Sequence, residues 1–197
     1  PAEIEITLPA SMIAIPFSSS EAEVISENAD GTRTWRYEAN SAGGILYAGD
    51  YICEQIEAGG MTIEFYYGRK HQAVMEEAGA VDAVKAVVDY CTEHYGTLSF
   101  GTGETLKLIQ SRVAGGGYAV GGASLLDEAD FTIANLGDTN KGAVPGETFI
   151  HELVHQWWGL GNMFDTVDST SPWSAEGLTV YTTYRIVKEL YGEDYAQ

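Results

Sequence analysis

The chain has 197 residues, of which 45% are hydrophobic and 20% charged, enough for one large domain or two small ones. Its 29 Asp and Glu outweigh 10 Lys and Arg, for a formal charge of −19. A surface that acidic repels phosphate and argues against nucleic acid or an anionic membrane as partner, while no window of about 18 apolar residues exists to form a membrane-spanning segment.

Glu3–Leu8 alternates polar and apolar residues, the period of a half-buried strand, and Pro9 stops it. Asn28–Gly31 is a turn, after which Thr32–Tyr37 resumes the alternation; Met61–Tyr67 is a further strand closed by Gly68. Residues 1–69 are therefore expected to hold several antiparallel strands joined by polar turns. Cys53 and Cys91 have no CxxC spacing and no His at ligand spacing, so they read as two separate thiols.

From His71 to Tyr95 the apolar spacing turns helical through Val74, Met75, Ala78, Val81, Val84, Val87 and Val88. Gly79 is a breaking point within this run and Gly96 a stop. The change of period predicts a domain boundary near Gly68–Gln72, dividing the chain into 1–69 and 70–197. Leu106–Val113 is a strand, Gly115–Gly117 a turn, and Tyr118–Leu125 and Asp130–Ala134 further strands, with Asn135–Gly142 a loop. A helix is expected from Pro145 through Trp158, ended by Gly159 and Gly161. A polar loop over Gly161–Ser171 leads to a last helix over Pro172–Tyr191, ended by Gly192. The fold class is α+β.

His151-Glu152-Leu153-Val154-His155 is an HExxH motif on one of these helices. At about 100° per residue, positions four apart return to nearly the same face one turn along, so both imidazoles reach one metal. Glu152 lies about 100° round from His151, close enough to a metal-bound water to serve as general base without being a ligand. A catalytic zinc needs a third protein ligand. Glu176, which follows His155 after 20 intervening residues, opens the next helix; Asp165 and Asp168 are rivals in the intervening loop. The bare motif also occurs in helices whose histidines only pack, but the Trp157-Trp158 pair and the downstream Glu176-Gly177 set this one apart. His71 and His94 sit on or beside the first long helix and read as ordinary surface residues.

The stretch His151–Gly159, HELVHQWWG, taken with Trp173–Tyr181, WSAEGLTVY, resembles the M1 family of zinc aminopeptidases, gluzincins that include aminopeptidase N. That family's pattern is HExxH, eighteen residues, then Glu, with HQWxG and a downstream NEG. Here two residues are inserted in the Gly161–Ser171 loop and Ala175 replaces the Asn. The resemblance implies a Zn²⁺ cofactor held by His151, His155 and Glu176, with Glu152 catalytic and peptides as substrates. It also implies that 1–69 is the end of an N-terminal β-sandwich-like domain and 70–197 the first part of a thermolysin-like zincin domain, the stretch Val81–Phe100 being similar to that domain's opening helix.

The family's substrate-binding edge strand carries GxMEN, and the matching stretch implies Gly121, Gly122, Ala123 and Ser124 as substrate-binding residues. Ser124 and Leu125 stand where Glu and Asn belong, so the usual carboxylate for a substrate's α-ammonium is missing. Asp127, Glu128 and Asp130 are nearby acids. Two alternatives follow: a zinc endopeptidase, or a zinc-binding sensory ectodomain with weakened catalysis. The family's oxyanion tyrosine would fall beyond Gln197, whereas Tyr181 and Tyr184 read as packing residues.

Asp127–Asp130 spells the DEAD of a helicase, and Gly101–Thr105 hints at a phosphate loop, but Glu104 stands where a P-loop needs Lys. Gly115–Gly122 reads as turn and edge-strand backbone beside the cleft. The chain opens on Pro1 without a signal peptide and is expected to be a segment of a larger protein, with the acidic surface favouring an extracellular or cell-surface setting.

Overall fold

Among the described residues, alternation of apolar residues builds three sheets. The computed structural model describes residues 2–39, 45–98, 105–112, 117–132, 147–161 and 173–195. The expectations for Gly101–Glu104, Gly115–Gly116, Asn135–Gly142, Pro145, Asp165, Asp168 and the loop up to Pro172 lie outside them. β1 (Ala2–Pro9) pairs antiparallel with β4 (Thr32–Ala39), whose other edge carries β3 (Glu23–Glu27). β2 (Ile13–Pro16) and β5 (Leu46–Gly49) form a two-stranded ribbon.

The third sheet has five strands: β6 (Tyr51–Ala58), β7 (Met61–Gly68), β8 (Thr105–Ser111), β10 (Ala123–Asp127) and β9 (Tyr118–Val120), in that spatial order. β6 and β7 are an antiparallel hairpin turned at Gly59-Gly60, both at positive φ. β7, β8 and β10 are mutually parallel, and β9 returns antiparallel to form the edge. The boundary expected at 69/70 falls inside this sheet, because β7 precedes it and β8 follows it, and the two are hydrogen-bonded neighbours. Arg69 therefore marks a change of element within one layer, since a parallel β7–β8 pair requires a crossover connection.

That crossover is helical. A 3₁₀ turn over Arg69–His71 leads into α1 (Gln72–Ala78) and α2 (Ala80–Tyr95). The single run of helical spacing is split at Gly79, whose φ of +63° is left-handed and ends α1. Two further expectations change in detail. The run Tyr118–Leu125 becomes β9 and β10 around a Gly121-Gly122 turn. Where a strand is expected over Asp130–Ala134, Asp130 instead closes a 3₁₀ turn over Glu128–Asp130, capped by Asp127 and left through Phe131, which is buried in the core, while 133–134 lie outside the described residues. One large apolar residue anchored in the core does the work there that an alternating pattern would do in a strand. Over Glu3–Leu8, Thr32–Tyr37 and Met61–Tyr67, alternation and strand agree.

Both faces of the five-stranded sheet are covered. Met61, Ile63, Phe65 and Tyr67 of β7, Leu106 and Leu108 of β8, and Leu126 of β10 pack in one core with α2, α3 (Glu147–Val154) and α4 (Leu178–Tyr191). Tyr66, Ile109, Ala123 and Leu125 point the other way and meet Ile15 and Phe17. On that second face Lys107 is 1% exposed; its ammonium donates to Ser20 O and lies 3.2 Å from Glu21 Oε1, which ties the segment after β2 across β8. No helix among the described residues is long and apolar enough to cross a membrane.

Phe65 is fully buried between Phe131 and Phe149, each ring centroid 6.1 Å away. Phe65→Ala is expected to lower the unfolding free energy by about 3–5 kcal/mol, read from urea denaturation. A loss below about 1 kcal/mol would mean that this layer does not depend on the aromatic cluster.

Candidate metal centre

The sequence of α3 sorts its side chains by face. Phe149, Ile150, Leu153 and Val154 are buried against the sheet, which leaves His151 on the side of a cleft. His155 lies in the turn just past the helix, where its N–H still donates to His151 O at 3.1 Å and keeps the helical register. The two imidazoles meet edge to face, with centroids 4.6 Å apart and Nε2 atoms 3.0 Å apart.

Glu176 joins them from the far side of the cleft. Its Oε2 lies 3.3 Å from His151 Nε2 and 3.4 Å from His155 Nε2. For a tetrahedral ion with bonds of about 2.0–2.1 Å, neighbouring donors sit about 3.3 Å apart. The three observed separations match that edge length, and the donor set, two imidazoles and a carboxylate, suits zinc. Among the described residues this is the one group of three or more such side chains with donor atoms within 4.8 Å of one another.

The ring of His155 is oriented from behind. Its Nδ1 lies 3.2 Å from Trp158 O and 3.2 Å from Thr179 Oγ1. A carbonyl only accepts, so the bond to Trp158 places the proton on Nδ1 and leaves Nε2 with its lone pair facing the cleft. Burial, and then the neighbouring His155, hold His151 below the usual imidazole range, which favours the neutral ring that a metal requires. Trp157 is buried and donates to Gly96 O at 2.8 Å, while Trp158 donates to Thr182 Oγ1 at 2.8 Å, so the indoles lock the end of α3 to its neighbours.

Glu176 sits on a single π-helical turn, Trp173–Gly177, just before α4. Such turns are rare and widen the helix locally. The close approach depends on Gly159, whose φ is +94° and where an added Cβ would come 2.9 Å from Ala175 Cβ. A side chain there would push the π turn away from His155.

Glu152 is 7% exposed, although it is a carboxylate. Burial, with Glu176 adding to it, pushes its carboxyl up to about 7. The backbone at Gly117 covers it so closely that a Cβ at that position would overlap the Glu152 side chain. Gly117, Tyr118 and Ala119 form one wall of a cleft of about 390 Å³, and His151, Glu152, His155 and Glu176 form the other.

The residues expected to line that wall lie elsewhere. Gly121 and Gly122 make the turn between β9 and β10, and Ala123 and Ser124 are fully buried on β10. Ser124 touches the site only indirectly, donating to the backbone oxygen of Glu152 at 2.9 Å. The sequence signal for Gly117 was the preceding glycine run; Thr179 behind His155 carries no signal at all. Neither His71 nor His94 is in the cleft: His71 contacts Gln110 and Phe131, and His94 stacks on Tyr90. A larger cavity, about 710 Å³, opens at the carboxyl ends of β7, β8 and β10, but its cations are matched internally, Arg69 with Asp50, and Lys70 and Arg112 with Glu128. The smaller cleft holds the reactive groups.

No protein-family model and no curated protein matches the chain. Solved structures do. An M1 zinc metallopeptidase of Deinococcus radiodurans superposes with a TM-score of 0.58 at 17% identity, over 98% of this chain and 42% of its own. The same enzyme with a Tyr-Ser-Ala substrate gives 0.59 at 18% identity, over 98% of this chain and 41% of that one. Aminopeptidase A of Legionella pneumophila, with aspartic acid, gives 0.62 at 15% identity, over 99% of this chain and 24% of that one. The chain thus has the α+β fold of a part of the M1 metallopeptidases and spans less than half the length of each.

Gly159→Ala separates Glu176 from the two imidazoles. A cation held by all three should bind about 10–100-fold more weakly, measured by Zn²⁺ competition with a chelator. Unchanged affinity would mean that Glu176 is not a ligand.

Proposed function

We propose that the chain carries the metal centre of a zinc-dependent metallopeptidase of the M1 aminopeptidase type, which hydrolyses peptide bonds. The observation that carries this reading is the tetrahedral spacing of His151 Nε2, His155 Nε2 and Glu176 Oε2 beside a buried Glu152. Likeness to metallopeptidases, one of them solved with a tripeptide, supports peptides as the substrate class.

A bound zinc supplies Lewis acidity, polarising a carbonyl and acidifying a water. The chain's own residues do the rest. The Trp158 carbonyl holds His155 in the tautomer that presents Nε2. Glu152 takes a proton from water and delivers it to the leaving amine, and its burial, which favours the protonated form, suits it to hold that proton in between. Gly117 keeps bulk water off that carboxylate. β9, an edge strand with Tyr118 and Ala119 in the cleft wall, offers backbone groups to an extended peptide. In this reading the thermolysin-like domain starts at β6, because β6–β10 are one sheet, and the strands up to Ala39 belong to a preceding β domain.

A second reading concerns specificity. Among the described residues the cleft wall formed by β9 brings no carboxylate, and the two acids in the cleft, Glu152 and Glu176, already have duties. That favours an endopeptidase, which does not hold a free α-ammonium.

Glu152→Gln keeps the shape of the side chain and removes the base. Hydrolysis should fall on the order of 10²–10⁴-fold while zinc content is retained; activity that survives sinks the assignment. On the specificity question, matched peptides with free and N-acetylated ends should be cleaved at comparable rates. Strict preference for the free amine would defeat the endopeptidase reading and favour an aminopeptidase.

A further inference from the structure

Gln156 follows His155 directly and is 0% exposed, although its side chain is a polar amide. Buried amides in folded proteins are partnered, so the partners show what the residue is for. Gln156 Oε1 accepts from the Gly122 N–H at 3.1 Å. Its Nε2 donates to Val120 O at 3.0 Å and to Ser124 Oγ at 3.0 Å, with Ala123 O a further contact at 3.3 Å. All four partners belong to β9, β10 or the turn between them, and Val120 and Ala123 are the pair that closes that hairpin. One side chain from the metal-binding segment therefore grips both strands of the hairpin.

The grip is reinforced. Ser124 Oγ, which accepts from Gln156, donates onward to Glu152 O at 2.9 Å, and the Lys107 N–H donates to Gly122 O at 3.0 Å. The hairpin is held to α3 on one side and to β8 on the other. β9 needs such help, since among the described residues it has three residues, pairs with β10 alone, and is the edge of the sheet. A short strand held on one edge is weakly ordered by its own pairing. Yet its position decides how closely Gly117 covers Glu152 and where Tyr118 and Ala119 stand in the cleft.

We infer that Gln156 is a positioning residue that clamps the edge strand β9 to the metal-binding segment, and so sets the height of the wall on which an extended substrate lies. Its part in substrate binding rests on the metallopeptidase reading; the clamp itself does not. The amide is suited to this duty because it offers donor and acceptor on one planar group at any ordinary pH. Methionine matches its length without either, and glutamate would set an acceptor against Val120 O.

Gln156→Met and Gln156→Glu, each loaded with zinc, test the clamp by hydrogen–deuterium exchange. Amides over 118–126 should exchange about tenfold faster than in the parent, with the β6–β7 hairpin and zinc stoichiometry unchanged. Unchanged exchange over 118–126 overturns the clamp, as does an equal increase throughout the chain. The kinetic arm compares a peptide long enough to lie along β9 with a single-residue chromogenic amide. KM for the long peptide should rise about tenfold, while KM for the short substrate changes by less than about twofold; any fall in kcat, from Gly117 no longer covering Glu152, should be shared by both substrates. Equal rises in KM on both overturn the positioning of substrate. A parent protein with neither zinc nor activity sinks the metallopeptidase reading alone, and exchange then decides the clamp. Should both Gln156 variants fail to fold, Ser124→Ala removes one arm of the network and is expected to raise exchange over 118–126 by a smaller factor; no rise overturns the proposal.

Discussion

Three lone-pair donors brought within 3.4 Å of one another repel unless a cation or a shared proton lies among them. Holding His151, His155 and Glu176 in that arrangement is the constraint around which the described structure is organised. Two of the donors come from a single helical turn, so their spacing is inexpensive. The third arrives from a separate element, and its approach depends on Gly159 meeting Ala175 without a side chain between them. The π turn at Trp173–Gly177 is consistent with this demand, since it re-aims Glu176 without breaking entry into α4.

Behind the donors stands a layer of hydrogen bonds that fixes orientation. Trp158 O and Thr179 Oγ1 aim the ring of His155, and the indoles of Trp157 and Trp158 pin the segment that follows it. In front of them the backbone of Gly117 lies against the Glu152 side chain, whose burial, with Glu176 adding to it, raises its carboxyl. The two layers are joined through Gln156 and Ser124, which link α3 to the β9–β10 hairpin. Cleft wall and the His151–Gln156 segment are thus tied by direct hydrogen bonds.

The five-stranded sheet explains why the boundary suggested by periodicity does not divide the structure. Residues before Arg69 alternate and those after it follow a helical period, and both patterns are present as read. What periodicity does not report is pairing. β7 and β8 are separated by two helices in sequence and are neighbours in space, because a parallel pair can be joined only by a crossover. The same blindness affected the cleft wall. Matching GxMEN to Gly121–Ser124 placed substrate contacts on a turn and on the buried strand β10, whereas the exposed edge is Tyr118–Val120, a few residues earlier.

Local chemistry was legible in the sequence alone. The four-residue spacing of His151 and His155, the carboxylate of Glu152 between them, the alternation over Glu3–Leu8 and Met61–Tyr67, and the glycine breaks at Gly79, Gly96 and Gly192 each depend on a few adjacent residues, and each has a fixed geometric meaning. Tertiary structure decided the rest. It selected how Glu176 reaches the imidazoles, which glycine covers Glu152, and which strand faces the cleft. It also gave a buried glutamine four partners spread over Val120–Ser124. Those contacts join residues 20 or more positions apart, and no periodic signal records them, because packing is a property of surfaces that meet only after the chain has folded.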